Sequence, residues 1–178
     1  MNLYFTLAVV CFLAALGILL IRYSRRVRRT ANSDWEHLLD RLEPVNRENI
    51  ARIALDALEE NSGVLAELDG SLMFSMLGGL DGIEVLERNC EVLIDLASYV
   101  QLWYPEALVV SEQLRLSARE LEWHVGRLKG AAQTGNLQTA FADYAQRAVV
   151  IYYTMTQNIL ALYSSTGQPG FTQLQATL

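Results

Sequence analysis

The sequence has few of the residues from which catalytic and metal sites are most often built. It contains only two cysteines and two histidines among 178 residues. Cys11 lies in an apolar N-terminal stretch and Cys90 in a helical pattern. This arrangement excludes a disulfide framework and favours a reducing compartment. Cys90 is most simply interpreted as a small buried apolar residue.

Recognisable catalytic motifs are also missing. The sequence has no glycine-rich phosphate loop, no nucleophile-elbow serine and no useful pairing of cysteine with histidine. Asp34 with His37, or Glu120 with His124, could supply two metal ligands, but a di-metal bundle needs two Glu-x-x-His repeats and none occurs. We therefore predict no enzyme, no cofactor and no metal. An enzyme that uses His124 with Glu120 is the remaining alternative.

Charge is distributed unevenly along the chain. The first 30 residues carry no acid and five arginines, which are Arg22, Arg25, Arg26, Arg28 and Arg29. The rest carries nine basic side chains against all 20 acidic ones. An acidic domain of this kind repels phosphate backbones, so nucleic acid is not an expected partner.

The N-terminal segment is long and apolar. Residues 1–21 contain no charged side chain, and the nineteen residues Leu3–Ile21 would span roughly 28 Å as a helix, close to the hydrocarbon thickness of a bilayer. A cleaved signal peptide would carry its positive charge before a shorter apolar run, and a buried core helix is rarely apolar on every face. We therefore predict a transmembrane helix at 1–23 and a basic juxtamembrane linker at 24–32.

The five arginines predict the orientation of this segment. Basic residues that flank a span are retained on the cytoplasmic side, so we expect the N-terminus outside and the following domain in the cytoplasm. The lipid bilayer is then the first partner. The arginines are either a topology signal alone or, in addition, ligands for anionic headgroups.

The remainder is predicted to be all-α, with no strand pattern. Apolar residues recur at steps of three and four in three successive segments, which predicts neighbouring antiparallel helices. We expect a bundle of about five helices at 33–165 and a flexible tail at 166–178. Whether 46–77 forms one helix or two is left open. The three segments are marked by Ile83, Leu86, Cys90, Leu93, Ala97, Val100 and Tyr104; by Leu114, Ala118, Leu121, Val125, Leu128 and Ala132; and by Leu137, Phe141, Tyr144, Ala148, Ile151, Met155, Asn158 and Leu162.

One short string resembles a known family. Residues 126–132 read Gly-Arg-Leu-Lys-Gly-Ala-Ala, which resembles a helix segment of histidine phosphotransfer domains. The resemblance implies a phospho-accepting histidine at the position that Gly126 occupies here. His124 lies two residues earlier and is rotated by about 200° around a helix, so it cannot take that position.

The aromatic residues are interpreted mainly as core packing, with an exposed interaction surface as the alternative. Tyr152 and Tyr153 are adjacent and cannot share a helix face, so with Trp103 they are candidates for an exposed docking patch. The leading hypothesis is a single-pass, membrane-anchored helical scaffold that holds a protein partner or a second copy at the cytoplasmic membrane face. The alternative is a membrane-linked signalling transmitter or sensor with a ligand site inside the bundle, near Asn158.

Overall fold

The computed structural model describes residues 7, 9–14, 17–18, 35–61, 68–167 and 170–178. The chain divides into two units, Met1–Asp34 and Trp35–Leu178. The described residues of the first unit are helical. Within the described residues, no helix combines the length and the apolar character that a bilayer crossing requires. Most of the segment at 1–23, the whole linker at 24–32 and its five arginines lie outside the described residues.

The second unit is all-helical, as predicted, and the described residues contain no strand. The described residues of this unit form four long helices and three short ones. One short helix comes first, one lies between the first and second long helices, and one comes last. The segment at 46–77 contains two helices, and the side chain of Asn46 accepts a hydrogen bond from the Asn49 amide to cap the first of them. In chain order the helices are α1 (Trp35–Asp40), α2 (Arg47–Asn61), α3 (Gly70–Leu77), α4 (Gly79–Val100), α5 (Ala107–Gln133), α6 (Leu137–Thr166) and α7 (Phe171–Thr177).

A two-glycine junction separates α3 from α4. Gly78 and Gly79 both have a positive φ, near 75°, a conformation that residues with a Cβ rarely adopt. Helix α4 therefore begins at Gly79, and Asp81 lies in its first turn.

Helix α6 is the centre of the bundle and packs against α2, α3, α4, α5 and α7. Lys129 near the end of α5 pairs with Glu84 near the start of α4, so these two helices are antiparallel, as predicted. Helix α4 runs parallel to α6, because Asn89 donates to the Tyr152 hydroxyl near one end of the contact and the Tyr163 hydroxyl donates to the Leu96 carbonyl near the other.

The predicted core positions of α4 are correct except for Tyr104, which lies beyond the end of the helix and is exposed, and those of α6 are only half correct. Every predicted α4 position from Ile83 to Val100 is buried. In α6 the buried face is shifted, because this helix has neighbours on several sides and its buried face follows all of them. Tyr144, Ile151 and Asn158 are half-buried, and the adjacent residues Ala145, Tyr152 and Ile159 are buried in their place.

The expectation of a flexible tail at 166–178 is wrong for the residues that the structure describes there. Phe171–Thr177 form α7, and Leu174 is fully buried. The Arg47 guanidinium donates to the carbonyls of Gln175 and Ala176, which are exposed groups at a helix C-terminus. The segment has no charged side chain, and the apolar burial of Leu174 together with this capping contact from α2 holds it against the bundle.

Candidate functional site

The acidic side of α4 is largely engaged within the chain. Glu84 and Glu87 each lie 3.2 Å from the Lys129 ammonium group. Asp95 pairs with Arg41 at 2.9 Å. Glu91, the remaining acidic residue on this side of α4, is exposed. This side of the helix therefore does not form a continuous free acidic face for a basic partner.

A second ion pair joins α4 to the segment after α1. The Arg88 guanidinium donates twice to the Glu43 carboxylate, with Nη2 2.8 Å from Oε2. These hydrogen bonds hold the pKa of the Glu43 carboxyl below its usual range. The neighbouring Asn89 receives a hydrogen bond from the Glu43 amide and donates to its carbonyl. Together these contacts fasten the chain after α1 to the middle of α4.

His124 is buried, at 4% exposure, and the structure gives its Nδ1 atom no hydrogen-bond partner. Burial lowers the pKa of its imidazole, because the charged form would lose its hydration. Its ring lies against Trp123 and Tyr144, and the Arg127 guanidinium stacks over these two aromatic rings at 5.8 and 5.6 Å. His124 is therefore held within an aromatic cluster on the α5–α6 hairpin.

Glu120, the suggested partner of His124, is exposed to solvent. In the part of the chain that the structure describes, no three histidine, cysteine, aspartate or glutamate side chains are grouped closely enough to hold a metal ion. Gly126, which stands where the phosphotransfer resemblance implies a histidine, is exposed and has open space beside its Cα.

The three residues predicted to form a docking patch do not lie on one surface. Tyr152 is buried and its hydroxyl accepts from Asn89, so its place in an exposed patch is a wrong prediction. Tyr153 is half-buried. Trp103 is 54% exposed in the turn between α4 and α5. Burial of Tyr152 follows from the shifted core face of α6.

Trp103 belongs to an exposed apolar surface, which we name the α4–α5 corner. It consists of Leu102, Trp103, Tyr104 and Leu108, all of them exposed and within seven consecutive residues. The Tyr104 hydroxyl donates to the Thr166 carbonyl at 3.1 Å, which fixes the corner to the end of α6. Sequence reasoning found only Trp103 here, although the run of large apolar residues around Pro105 was a visible signal.

An aromatic cluster lies directly behind the corner. The Tyr99 ring is 4.8 Å from Trp103 and 5.9 Å from Trp35, and Trp35 is 5.0 Å from Tyr163. Trp35 is the first residue of α1, so the chain enters the helical unit at this end of the bundle.

The parts of α4, α5, α6 and α7 at the same end of the bundle carry few charged side chains, although Glu36 of α1 is exposed next to Trp35. Residues 148–178, which include the second half of α6 and all of α7, contain none. Residues 96–111 contain only Glu106. The charged half of the bundle is the opposite one, which contains the first turns of α4, the second half of α5 and the start of α6.

A second exposed apolar surface runs along α5, and we name it the α5 stripe. Val109, Leu116 and Trp123 are 71%, 67% and 56% exposed, and their seven-residue spacing places them on one side of the helix. Leu116 and Trp123 each follow a buried core leucine by two residues, so the stripe faces away from the core. Sequence reasoning missed it, although a second series of large apolar residues at heptad spacing was the available signal.

The unit also contains a cavity between α3 and α6. It has a volume of about 560 Å³ and is lined mainly by Phe74, Leu137, Phe141 and Ala142, with Asp69 and Ser71 at the start of α3. The Asp69 carboxylate already accepts hydrogen bonds from the Leu72 amide and the Ser71 hydroxyl, which lower its pKa.

Comparisons of the chain with protein families, with curated proteins and with solved structures find no match.

Proposed function

We propose that this chain is a single-pass membrane protein whose helical unit binds a helix of another protein at the cytoplasmic membrane face. The observation that carries the proposal is the α5 stripe. Val109, Leu116 and Trp123 are large, apolar and exposed, and their seven-residue spacing places them in one row along α5, which a helix of another protein can cover.

The membrane anchor is supported by the N-terminal helical residues. Positions 9–14 are six consecutive helical residues that surround the whole helix, and all are exposed and uncharged. Exposed apolar surface costs about 25 cal/mol per Å² in water. A helix that is apolar on every side is stable when lipid or protein covers it. The arginines that follow favour a cytoplasmic location for the rest of the chain.

Charge disfavours a parallel, in-register pair of two copies. Such a pair would place Glu112 opposite Glu112 and Arg119 opposite Arg119, since these exposed residues lie between the stripe positions, although each Glu112 also pairs with Arg115 of its own chain. Like charges directly opposite each other destabilise such a pair. A partner helix with a basic residue facing Glu112 and an acidic residue facing Arg119 avoids that repulsion.

Membrane fractionation tests the anchor. We expect the full-length chain to remain in the membrane pellet after an alkaline carbonate wash. Replacing Phe12 and Leu13 by arginine should release it, because each arginine at the centre of a span costs about 2.5–3.5 kcal/mol. A fluorescent reporter fused after Leu178 should fold in the cytoplasm, whereas a reporter that requires export should stay inactive. Wild-type chain in the carbonate supernatant would contradict the anchor.

Site-specific photo-crosslinking in intact membranes tests the partner. A photoreactive residue at Trp123 should form a product heavier than the chain by the mass of one other protein. Leu116→Glu should remove that product, because a buried apolar contact at an interface of this kind is worth roughly 2 kcal/mol or more. Leu55→Glu on α2 is the matched control, since Leu55 is also exposed, at 50%, but lies off α5.

The outcomes of this experiment are distinct. A crosslinked product with twice the mass of the chain would replace the foreign partner by a second copy. Equal loss of the product in Leu116→Glu and Leu55→Glu, with unchanged circular dichroism, would show that the stripe has no particular role.

A second candidate function is a sensor, and the cavity between α3 and α6 favours it. A mostly apolar cavity of about 560 Å³ is within the usual size range for small-molecule sites. A small apolar molecule or an acyl chain that binds there should raise the melting temperature of the full chain in detergent. Phe141→Ala would remove part of the wall and should abolish that increase. If wild type and Phe141→Ala respond alike to every compound, the cavity is not a ligand site.

A further inference from the structure

We propose that the α4–α5 corner docks on the bilayer, so that the helical unit rests on the membrane by its uncharged end. The inference rests on the proposed membrane anchor and adds a second, independent point of contact. Leu102, Trp103, Tyr104 and Leu108 would then contact the lipid headgroup region and the uppermost part of the acyl chains.

The place where the chain enters the unit supports this occupant. Trp35 begins α1, and its ring is linked through Tyr99 to Trp103 of the corner. The corner therefore lies at the end of the bundle to which the N-terminal segment is covalently attached.

The length of the connecting chain keeps this end near the membrane. Eleven residues, 24–34, separate the predicted span from Trp35, and even fully extended they reach only about 40 Å. Helix α5, with 27 residues, is itself about 40 Å long. The linker therefore keeps Trp35 within about 40 Å of the predicted span.

Charge complementarity points the same way. The cytoplasmic leaflet is negatively charged and repels acidic protein surfaces within about a Debye length. The acidic residues lie mostly in the opposite half of the bundle, whereas residues 148–178 have no charged side chain and 96–111 have only Glu106. The membrane field therefore favours the orientation in which the uncharged end faces the bilayer.

The chemistry of the corner also suits an interface of lipid and water. Tryptophan and tyrosine are enriched where an apolar body meets lipid and a polar group meets water. At the corner the Trp103 and Tyr104 rings are accompanied by Leu102 and Leu108, and Glu106 is the one charged side chain in the stretch 102–108. The α5 stripe has more charge beside it, because Glu112, Arg119 and Glu120 border it.

Tryptophan quenching by brominated lipid tests the proposal on the full-length chain. The chain is reconstituted in vesicles of phosphatidylcholine and phosphatidylglycerol, with and without bromine on the upper acyl carbons. Trp103→Phe removes the corner indole. Trp123→Phe is the matched control, because Trp123 is equally exposed, at 56% against 54% for Trp103, but lies about 24 Å further along α5.

We expect bromine quenching of wild-type fluorescence, loss of most of that quenching in Trp103→Phe and no loss in Trp123→Phe. Both replaced side chains are exposed, so both variants should keep the wild-type circular dichroism. As a second measurement, Leu108→Asp should reduce the quenching of Trp103, because a carboxylate at the corner repels the anionic surface.

Three results would overturn the proposal in different ways. If the chain floats with the vesicles and bromine quenches the fluorescence of Trp103→Phe as strongly as that of wild type, the proposed docking of the corner is wrong and the proposed anchor stands. If both tryptophan variants lose quenching equally, the unit lies along its side on the membrane. If the chain does not float with the vesicles at all, the anchor and the docking fail together.

Discussion

The two halves of the helical unit differ in surface charge and in the contacts that join their helices. In the charged half, Lys129, Glu84 and Glu87 form ion pairs between α4 and α5, and Arg88 pairs with Glu43. In the other half the contacts between elements include the Arg41–Asp95 ion pair, but also aromatic rings and hydrogen bonds to backbone carbonyls, such as those of Tyr163 and Tyr104. Both halves have an apolar core, so the difference lies in the surface.

This difference has a physical cause in solvation. Exposed ion pairs contribute little stability and keep a surface hydrated. A surface with exposed Trp103 and Leu102 and almost no charge is instead costly in water and inexpensive against an apolar or interfacial phase. The proposed docking of the corner on lipid rests on this contrast.

The largest expected effect separates the core of the uncharged half from its surface. Leu96→Ala should lower the free energy of unfolding by about 2–5 kcal/mol, because Leu96 is fully buried and its removal leaves a cavity. Leu102→Ala at the corner should change it by less than about 0.5 kcal/mol. Urea unfolding in mild detergent, followed by circular dichroism, measures both. Comparable losses would mean that Leu102 is packed and that the corner is not an exposed surface.

The next effect tests how tightly the uncharged end is assembled. A Cβ added at Gly170 would lie 2.3 Å from two carbons of the Trp35 indole, so Gly170→Ala should cost about 1–3 kcal/mol by overpacking. Gly130→Ala is the control within α5, where a Cβ meets open space. It should raise stability by about 0.5–1 kcal/mol, since alanine is the better helix former. A neutral Gly170→Ala would show that α7 and α1 separate easily.

A smaller effect compares two tyrosine hydroxyls at the same end. The buried Tyr163 hydroxyl donates to the Leu96 carbonyl at 3.0 Å, so Tyr163→Phe should cost about 1 kcal/mol. The Tyr104 hydroxyl makes a similar bond to Thr166 but is exposed, so water can replace it and Tyr104→Phe should cost less than about 0.5 kcal/mol. Equal costs in the unfolding assay would place Tyr104 out of contact with solvent.

The smallest effect belongs to the charged half and depends on pH. Burial lowers the pKa of His124 below its ordinary value of 6.5, so the unfolded chain binds a proton more readily than the folded one. Stability should therefore fall as the pH drops through 6.5 towards the lower pKa of the folded state. His124→Gln should remove this component of the pH dependence.

Local sequence patterns predicted a large part of the fold. The α4 stripe from Ile83 to Val100 was correct because α4 has a regular 3-4 apolar spacing and well-marked ends. The cap of α2 by Asn46 could likewise be predicted from the sequence, since it requires only the residue type and its position. The shifted buried face of α6 could not be predicted from the sequence. Tyr144 and Ala145 are both compatible with a buried position, and only the neighbouring helices determine which of them is buried.

The candidate surfaces were predictable to a lesser extent. Trp103 was identified from its residue type, whereas Tyr152, chosen by the same reasoning, is part of the core. Composition cannot separate the two, because an aromatic side chain is equally suited to a core and to an interface. The α5 stripe becomes evident only when the core face of α5 is known, since the remaining apolar residues are then left exposed.

The sequence by itself determined the helical class, the uneven distribution of charge and the apolar character of the N-terminal segment, because each of these depends on residue type and local spacing alone. Only the tertiary structure decided that Tyr152 is buried, that the tail forms α7 and that Glu84 and Glu87 share Lys129. These properties depend on contacts between residues far apart in the chain. Such contacts are set by how whole helices pack and not by the pattern within any one of them.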